Sequence, residues 1–269
     1  MTVAESKDEN IASARAMIKE ASSRGSKFVV LPEMFNCPYN SELFHTFAEK
    51  YPEGETIKML SEAARAEKVF LVGGSIPELE EGTVYNTSFV FSPEGKLLAK
   101  HQKVHLFDVD FAGGLSFQES KTLGYGKTIT VIKTEICTFG VCICYDIRFP
   151  ELSRLMALTG AELIVIPAAF NMTTGPAHWE LLLRARAVDN QVFVAGAAPA
   201  RNEKASYISY GHSAVVDPWG KIIANTDEKE GIIYGVIDLN LIDKIRNELP
   251  LLKHRRSDIY QIVSDQRRP

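Results

Sequence analysis

Three residues close apolar runs in a way that could do chemistry together: Cys144, Glu33 and Lys103. In GVCICYDIRFPEL the apolar stretch Val141 to Ile143 stops at Cys144, and Pro150 opens a helix a few residues later. The thiol therefore sits at the carboxyl end of a strand, the edge of an α/β fold where turns present side chains and aim backbone N–H groups into a crevice. A buried structural cysteine is the competing reading, and Cys142 takes that role. Glu33 directly follows FVVLP, so its carboxylate must be either solvated at the rim or held in a site. Lys103 closes the strand-like KLLAKHQK, where a lysine is ordinarily a solvated edge charge. Glu119 lies in the turn-rich SFQESKTLG, where an acid is ordinarily an exposed loop residue. Together, a thiol, a carboxylate base and a fixed cation are the parts acyl transfer needs. A free thiol has a pKa near ~8.5 and a free carboxylate near ~4.3, so enclosure must narrow that gap before Glu33 can serve as the base.

The elements that must position these groups are legible from periodicity. Ser6 and Glu9 form a capping-box pattern ahead of Ile11, Ala14, Met17, Ile18 and Ala21, whose spacing predicts an amphipathic helix ending at Gly25. Lys27 to Leu31 then reads as a buried strand. The same unit recurs: a helix from about Glu55 to Ala66 leads into Val69 to Gly74, a helix after Pro150 into Leu163 to Pro167, and a helix around Trp179 to Asn190 into Val192 to Gly196. Between these lie strands joined by turns, among them YNTSFVF and KLLAKHQKV across Ser92 to Gly95, and YGHSAVVDPWGKIIANT around Pro218 to Gly220. Crossovers mixed with hairpins predict a mixed sheet or two packed sheets flanked by helices, and disfavour an eight-fold barrel with a helix after every strand.

At 269 residues, with 45% hydrophobic and 24% charged residues, the chain can bury a sizeable sheet and reads as one domain over 1–269. A net charge of −4 gives no field for nucleic acid, and Lys253, Arg255, Arg256, Arg267 and Arg268 form a solvated basic end. Glu5, Asp8 and Glu9 stand where a signal peptide would be basic and apolar, and no run is long enough to span a bilayer, so the cytosol is the default compartment and no membrane partner is expected. Four cysteines, three of them crowded at Cys137, Cys142 and Cys144, suit neither a disulfide framework nor a zinc ribbon.

LPEMF at Leu31 to Phe35, HQKVHLFD at His101 to Asp108 and CYDIRFPEL at Cys144 to Leu152 resemble, in order and separation, the three signature segments of the nitrilase superfamily of carbon–nitrogen hydrolases. The likeness runs from about Ser6 to Tyr260. It implies an α/β fold, an αββα sandwich of two mixed β-sheets flanked by helices. It also implies a catalytic set of Glu33, Lys103 and Cys144, with Glu119 as an added acid orienting the lysine and substrate, and neither metal nor other cofactor. The partners implied are a small-molecule amide and a second copy of the chain, with helices after the nucleophile segment and the C-terminal region meeting their symmetry mates. Within the superfamily, FNCPY, HLFDVD, FQESKTL, AFNMTTGPAHWELL and ASYISYGHS resemble ω-amidases, which hydrolyse the terminal amide of 2-oxoglutaramate and 2-oxosuccinamate to the 2-oxo acid and ammonia through a cysteine thioester. Deaminated-glutathione amidases share CYDIRFPELS and VVDPWG and are the alternative. On this reading Lys103 and the backbone N–H of Tyr145 donate to the oxyanion. The distal carboxylate of such a substrate calls for a cation, for which Arg148 is the candidate unless it pairs with Asp146 or Glu151; Phe35, Tyr145, Phe170 and Asn171 are further pocket candidates, the aromatic ones with a core role as the competing reading. Family members usually begin with an apolar strand of about 5 to 6 residues. Here only MTVAE precedes the first helix, which predicts that this strand is missing and Met1 internal to a longer chain.

Three rival readings differ in class. A papain-like hydrolase would use His105, His178 or His212 as base, and the carboxylate-first motif order argues against it. A metal site could draw on the spacing of His101 and His105, but their extended segment is expected not to bring them onto one face. A catalytically silent interaction protein on the same scaffold would have no need of all three reactive residues.

Overall fold

The computed structural model describes residues 1–112 and 116–264, so Arg267 and Arg268 of the basic end lie outside the described residues. Helix α1 (Lys7–Ser23) starts where the Ser6 hydroxyl accepts the Glu9 N–H, and it buries Ala14, Ile18 and Ala21. The chain turns at Gly25 with φ of +89°, a conformation that favours glycine, and enters β1 (Phe28–Val30). The short α2 (Phe44–Phe47) and α3 (Glu55–Glu67) follow, then β2 (Phe70–Val72), β3 (Ile76–Glu80), β4 (Thr83–Phe91) and β5 (Leu97–Gln102). These strands form the first sheet: β1 lies parallel to β2, and β4 pairs antiparallel with β2, β3 and β5. A small ribbon of β6 (Asp108–Asp110) and β7 (Ser116–Gln118) stands apart.

The second sheet is built from β8 (Thr130–Lys133), β9 (Thr138–Val141), β10 (Leu163–Pro167), β11 (Phe193–Ala197), β12 (Ala214–Val216) and β13 (Ile222–Asn225), in the order β13-β12-β11-β10-β9-β8. Helix α4 (Pro150–Leu158) crosses from β9 to the parallel β10, and α5 (Gly175–Asn190) from β10 to the parallel β11; α6 (Asn240–Glu248) closes the described helices. Hairpin pairing completes both sides of the sheet.

Burial defines four layers. Ile18, Leu60 and Ala64 of α1 and α3 pack on Leu71 and Phe89 of the first sheet. Met156, Trp179 and Leu183 of α4 and α5 pack on Ile164, Ile166 and Val194 of the second. Val72 and Val90 meet Val141, Val165 and Phe193 between the sheets. Each large apolar side chain so enclosed stabilises the fold by about 1.5–3 kcal/mol. The result is the expected αββα arrangement. One predicted boundary moves: β9 ends at Val141 rather than Ile143, because the Cys142 N–H still reaches Val165 O (3.0 Å) while the Ile143 N–H turns to the Asp146 carboxylate (3.0 Å).

Within the sheets β1 is paired on one side only, with β2. Its other edge borders a cavity of about 570 Å³ lined by Phe28, Val30, Ala195, Val215, Ile232 and Tyr234. Met1 is buried at the margin of this trough, and its carbonyl accepts the Ala200 N–H (2.8 Å). Among the described residues no helix is long and apolar enough to cross a membrane.

Candidate active site

Glu33 leaves the carboxyl end of β1 on a turn that the neighbouring strand end fixes. Met34 N–H donates to Ser75 Oγ (3.0 Å) and Phe35 N–H to Ser75 O (3.2 Å). Gly74 must lack a side chain for this approach, since a Cβ there would lie 2.1 Å from Pro32 O. Lys103 follows β5 directly, its N–H held by Asn86 O (2.8 Å). Cys144 opens a 3-10 turn, Cys144–Arg148, with φ of +46°; Met34 beside Glu33 has φ of +48°. Left-handed backbone at a non-glycine residue is uncommon and concentrates where the surrounding structure holds a reactive group in place. The thiol, the carboxylate and the ammonium thus come from the ends of three strands in two sheets.

Their side chains converge in a sealed network. Lys103 Nζ lies 2.9 Å from Glu33 Oε1, 2.9 Å from Glu119 Oε2 and 3.0 Å from Glu119 Oε1, and all three side chains are buried. The solvated edge lysine and the exposed loop acid are therefore excluded: Glu119 reaches inward because the Phe107 N–H (2.7 Å) and the Tyr39 hydroxyl (2.7 Å) donate to it. Glu33 Oε1 is crowded, accepting from Lys103, from Asn86 Nδ2 (2.9 Å) and from Tyr39 Oη (3.2 Å). Among the described residues Oε2 has no hydrogen-bond partner, and Cys144 is near enough to act on the Glu33 pKa. One oxygen is anchored and the other is left for a proton.

Electrostatics sets the resting state. Burial, the like charge of Glu119 and the opposing pull of Lys103 together leave the Glu33 pKa raised. Burial disfavours the Lys103 ammonium, but Glu119 and Glu33 outweigh it and hold its pKa above the usual value. Burial and then Glu33 push the Cys144 thiol well up, with Lys103 acting against them. Two carboxylates and one ammonium already leave the site one charge negative, so a thiolate at rest would add a second. Passing the thiol proton to Glu33 during attack keeps the total unchanged. The expected narrowing of the gap is thus met on the glutamate side and opposed on the thiol side, which makes proton transfer part of the attack.

Asp146 is buried beside the nucleophile. Its Oδ1 accepts from His105 N (2.9 Å) and faces His105 Nδ1 (2.8 Å); its Oδ2 accepts from Ile143 N (3.0 Å) and faces His101 Nε2 (3.3 Å). This corrects the expectation that His101 and His105 cannot share a face. β5 ends at Gln102 and the chain bends at Val104 and His105, so the rings on either side of Lys103 converge on one carboxylate while Lys103 itself reaches Glu33 and Glu119. Neither His105 nor His212 approaches as the base of a Cys–His pair: His105 Nδ1 faces Asp146 and His212 Nδ1 faces Tyr210 O (2.9 Å).

Arg148 lies over the rings of Phe170 (4.8 Å) and Tyr145 (5.7 Å), with Nη1 3.1 Å from His178 Nδ1. Among the described residues it has no carboxylate within ion-pair distance, so pairing with Asp146 or Glu151 does not occur. Phe170 also packs on Trp179 at 4.9 Å, and Tyr145 on Phe107 at 5.2 Å. Asn171 Oδ1 accepts the Thr173 and Thr174 N–H groups, leaving its buried Nδ2 without a partner. Phe35 belongs instead to the core under α1 and α3. Cys142 is buried with its sulfur 3.7 Å from Met156 Sδ, in keeping with a structural role. A small pocket of about 40 Å³ abuts the network, lined by Glu33, Tyr39, Ala169, Tyr207 and Ser209. Tyr39, Asn86 and Tyr207 were not singled out from the sequence, and His178, considered there only as a base, instead meets Arg148. Tyr39 stacks on Tyr207 at 4.6 Å, and Tyr207 Oη donates to Ala169 O (2.7 Å).

Comparison with known proteins agrees with this geometry. The family model described as carbon–nitrogen hydrolase matches residues 1–247. The chain is 51% identical over 264 residues to Omega-amidase NIT2 of Danio rerio, covering 98% of this chain and 95% of that protein. It is 51% identical over 256 residues to Omega-amidase NIT2 of Homo sapiens, covering 95% and 92%. Among solved structures, Saccharomyces cerevisiae Nit3, described as a member of branch 10 of the nitrilase superfamily, superposes with a TM-score of 0.88 at 46% identity, covering 95% of this chain and 93% of that one.

Proposed function

The chain belongs to the carbon–nitrogen hydrolase family, and from that premise we infer that it is an ω-amidase, releasing ammonia from the terminal amide of a 2-oxo dicarboxylic acid monoamide such as 2-oxoglutaramate or 2-oxosuccinamate. The observation that carries the substrate class is Arg148, a cation with no carboxylate partner among the described residues, one turn from the thiol and held on two aromatic faces. A substrate with an amide at one end and a carboxylate at the other satisfies both groups at once. The ω-amidase relatives, about half identical along nearly the whole chain, support the same reading.

Cys144 Sγ bonds to the amide carbon as its proton moves to Glu33 Oε2. The carbonyl oxygen takes up negative charge beside Lys103 Nζ and the N–H of Tyr145, the second residue of the 3-10 turn, where helical donors lack internal acceptors. Each such donor contributes roughly 3–4 kcal/mol to the transition state. The C–N bond breaks, ammonia leaves with the proton from Glu33, and a thioester remains. Glu33 then takes a proton from water as its oxygen bonds to the acyl carbon, the C–S bond breaks to release the acid, and the departing thiolate takes that proton back from Glu33. Glu119 and Asn86 hold lysine and glutamate in register throughout.

The decisive assay measures ammonia from 2-oxoglutaramate, deaminated glutathione, simple nitriles and N-carbamoyl compounds. The 2-oxo amide is expected to lead by kcat/KM; a panel led by deaminated glutathione, or no activity on any member, refutes the assignment. Arg148→Leu should raise KM for 2-oxoglutaramate far more than for an uncharged short amide, and equal effects would make Arg148 structural. A homodimer is part of this proposal: Leu181 and Val188 are exposed on one face of α5 with Trp219 beside them, a surface suited to a symmetry mate. Unpaired Cys37, Cys137, Cys142 and Cys144 support a reducing compartment, the cytosol.

A further inference from the structure

We propose that Asp146 is a positioning residue that sets the separation between the Cys144 sulfur and the Lys103 ammonium, acting through His101, His105 and the Ile143 amide. The two reactive groups belong to different sheets: Lys103 follows β5 of the first and Cys144 follows β9 of the second. Between the sheets lie Val72, Val90, Val141, Val165 and Phe193, whose contacts are apolar. Such contacts are non-directional, so directional bonds set the relative placement of groups on the two sheets more finely. Asp146 makes such bonds to both sides.

Toward the nucleophile, Oδ2 accepts the Ile143 N–H (3.0 Å), which pins the residue before the positive-φ turn at Cys144. Toward the lysine, the carboxylate faces His101 Nε2 (3.3 Å) and His105 Nδ1 (2.8 Å) and accepts His105 N (2.9 Å), so the residues two before and two after Lys103 are tied to one side chain. Both histidines are themselves held: His101 Nδ1 lies 3.0 Å from Thr130 Oγ1 on β8, and the His105 ring stacks on Phe149 at 3.6 Å and 8°. Asp146 and His101 are fully buried, so water does not compete for the contact between them. The clamp touches no reacting atom. It converts two loosely registered sheets into one rigid frame across which sulfur and ammonium keep a set distance.

Asp146→Asn tests this, because it keeps Oδ1 but turns Oδ2, which faces two donors, into a donor. Displacing a catalytic group by about 1 Å costs on the order of 10²-fold, so kcat should fall by roughly that factor while KM stays within about twofold. The rate of Cys144 alkylation by iodoacetamide, located by peptide mass spectrometry, should fall in parallel. His105→Phe keeps the stack on Phe149 and removes one donor; it should lower kcat less. The double variant should be no slower than Asp146→Asn alone, since both act on one device. A kcat and alkylation rate within about threefold of wild type in folded Asp146→Asn, or fully additive effects, would overturn the proposal. If Asp146→Asn does not fold, His105→Phe decides by the same two rates. The role rests on Cys144 being the nucleophile; wild-type protein that releases no ammonia from any amide would fail that reading, whereas the alkylation comparison would still judge Asp146.

Discussion

Lys103→Arg is the substitution that most sharply separates charge from geometry in this site. It keeps the positive charge but replaces one ammonium, placed 2.9 Å from Glu33 Oε1 and within 3.0 Å of both Glu119 oxygens, by a planar fork. The guanidinium can pair with Glu119 alone, and no single N–H then faces both Glu33 and the substrate oxygen. Loss of one oxyanion donor costs ~3–4 kcal/mol, so kcat should fall by about 10²–10³-fold. Arginine is larger than the fully buried lysine it replaces, and overpacking of this kind costs about 1–3 kcal/mol. At roughly 2–4 °C per kcal/mol for a chain of this size, Tm should drop by ~2–12 °C. Lys103→Met serves as comparator: it should be equally inactive but less stable, because breaking a buried ion pair costs about 3–5 kcal/mol. Steady-state ammonia release and differential scanning calorimetry on the three proteins give the answer. Turnover of the arginine variant within about threefold of wild type would refute the reasoning, since geometry would then count for nothing beyond charge.

Cys144→Ala should abolish hydrolysis with an unchanged circular dichroism spectrum, and in wild type iodoacetamide should modify Cys144 before the sealed Cys142; residual turnover in the alanine variant would remove the thioester. Glu33 must be ionised to accept the thiol proton and its pKa is raised by burial, so kcat/KM should decline on acidification at a pH above the ~4.3 of a free glutamate, and a limb at or below that value would refute the assignment. Fusing an apolar strand of about five residues ahead of Met1, to lie along β1 in the 570 Å³ trough, should raise Tm by several degrees and improve solubility; unchanged melting would show that the trough does not accept a strand.

The reactive residues were legible because each stands where an apolar run stops, and strand ends are where this architecture opens. Glu33, Lys103 and Cys144 required only that rule together with the three signature segments, and the alternation of crossovers and hairpins was enough for the layered fold. Glu119 was legible only through the family likeness, since its burial depends on the chain folding back to place Phe107 N–H and Tyr39 around it. Tyr39 and Asn86 carried no local signal: they meet Glu33 and Lys103 through the packing of β1, β4 and β5, which single-sequence periodicity does not register. The Asp146 clamp is different. Its histidines were noticed for their spacing, but β5 ends at Gln102 and it is the bend at Val104 and His105 that brings both rings to Asp146, which strand periodicity does not register.

The one-sided pairing of β1 bears on how this protein would lose activity. A three-residue strand gripped by a single neighbour opens at lower free energy than strands held on both sides, and local opening of that kind precedes global melting. Glu33 stands three residues beyond Val30, so each such opening slackens the base against Lys103 while the second sheet, with the thiol, stays intact. Inactivation by heat or mild urea should therefore run ahead of the loss of helical signal and reverse on cooling or dilution. The working ceiling of the enzyme would then be set by one short seam rather than by the cooperative stability of the whole fold.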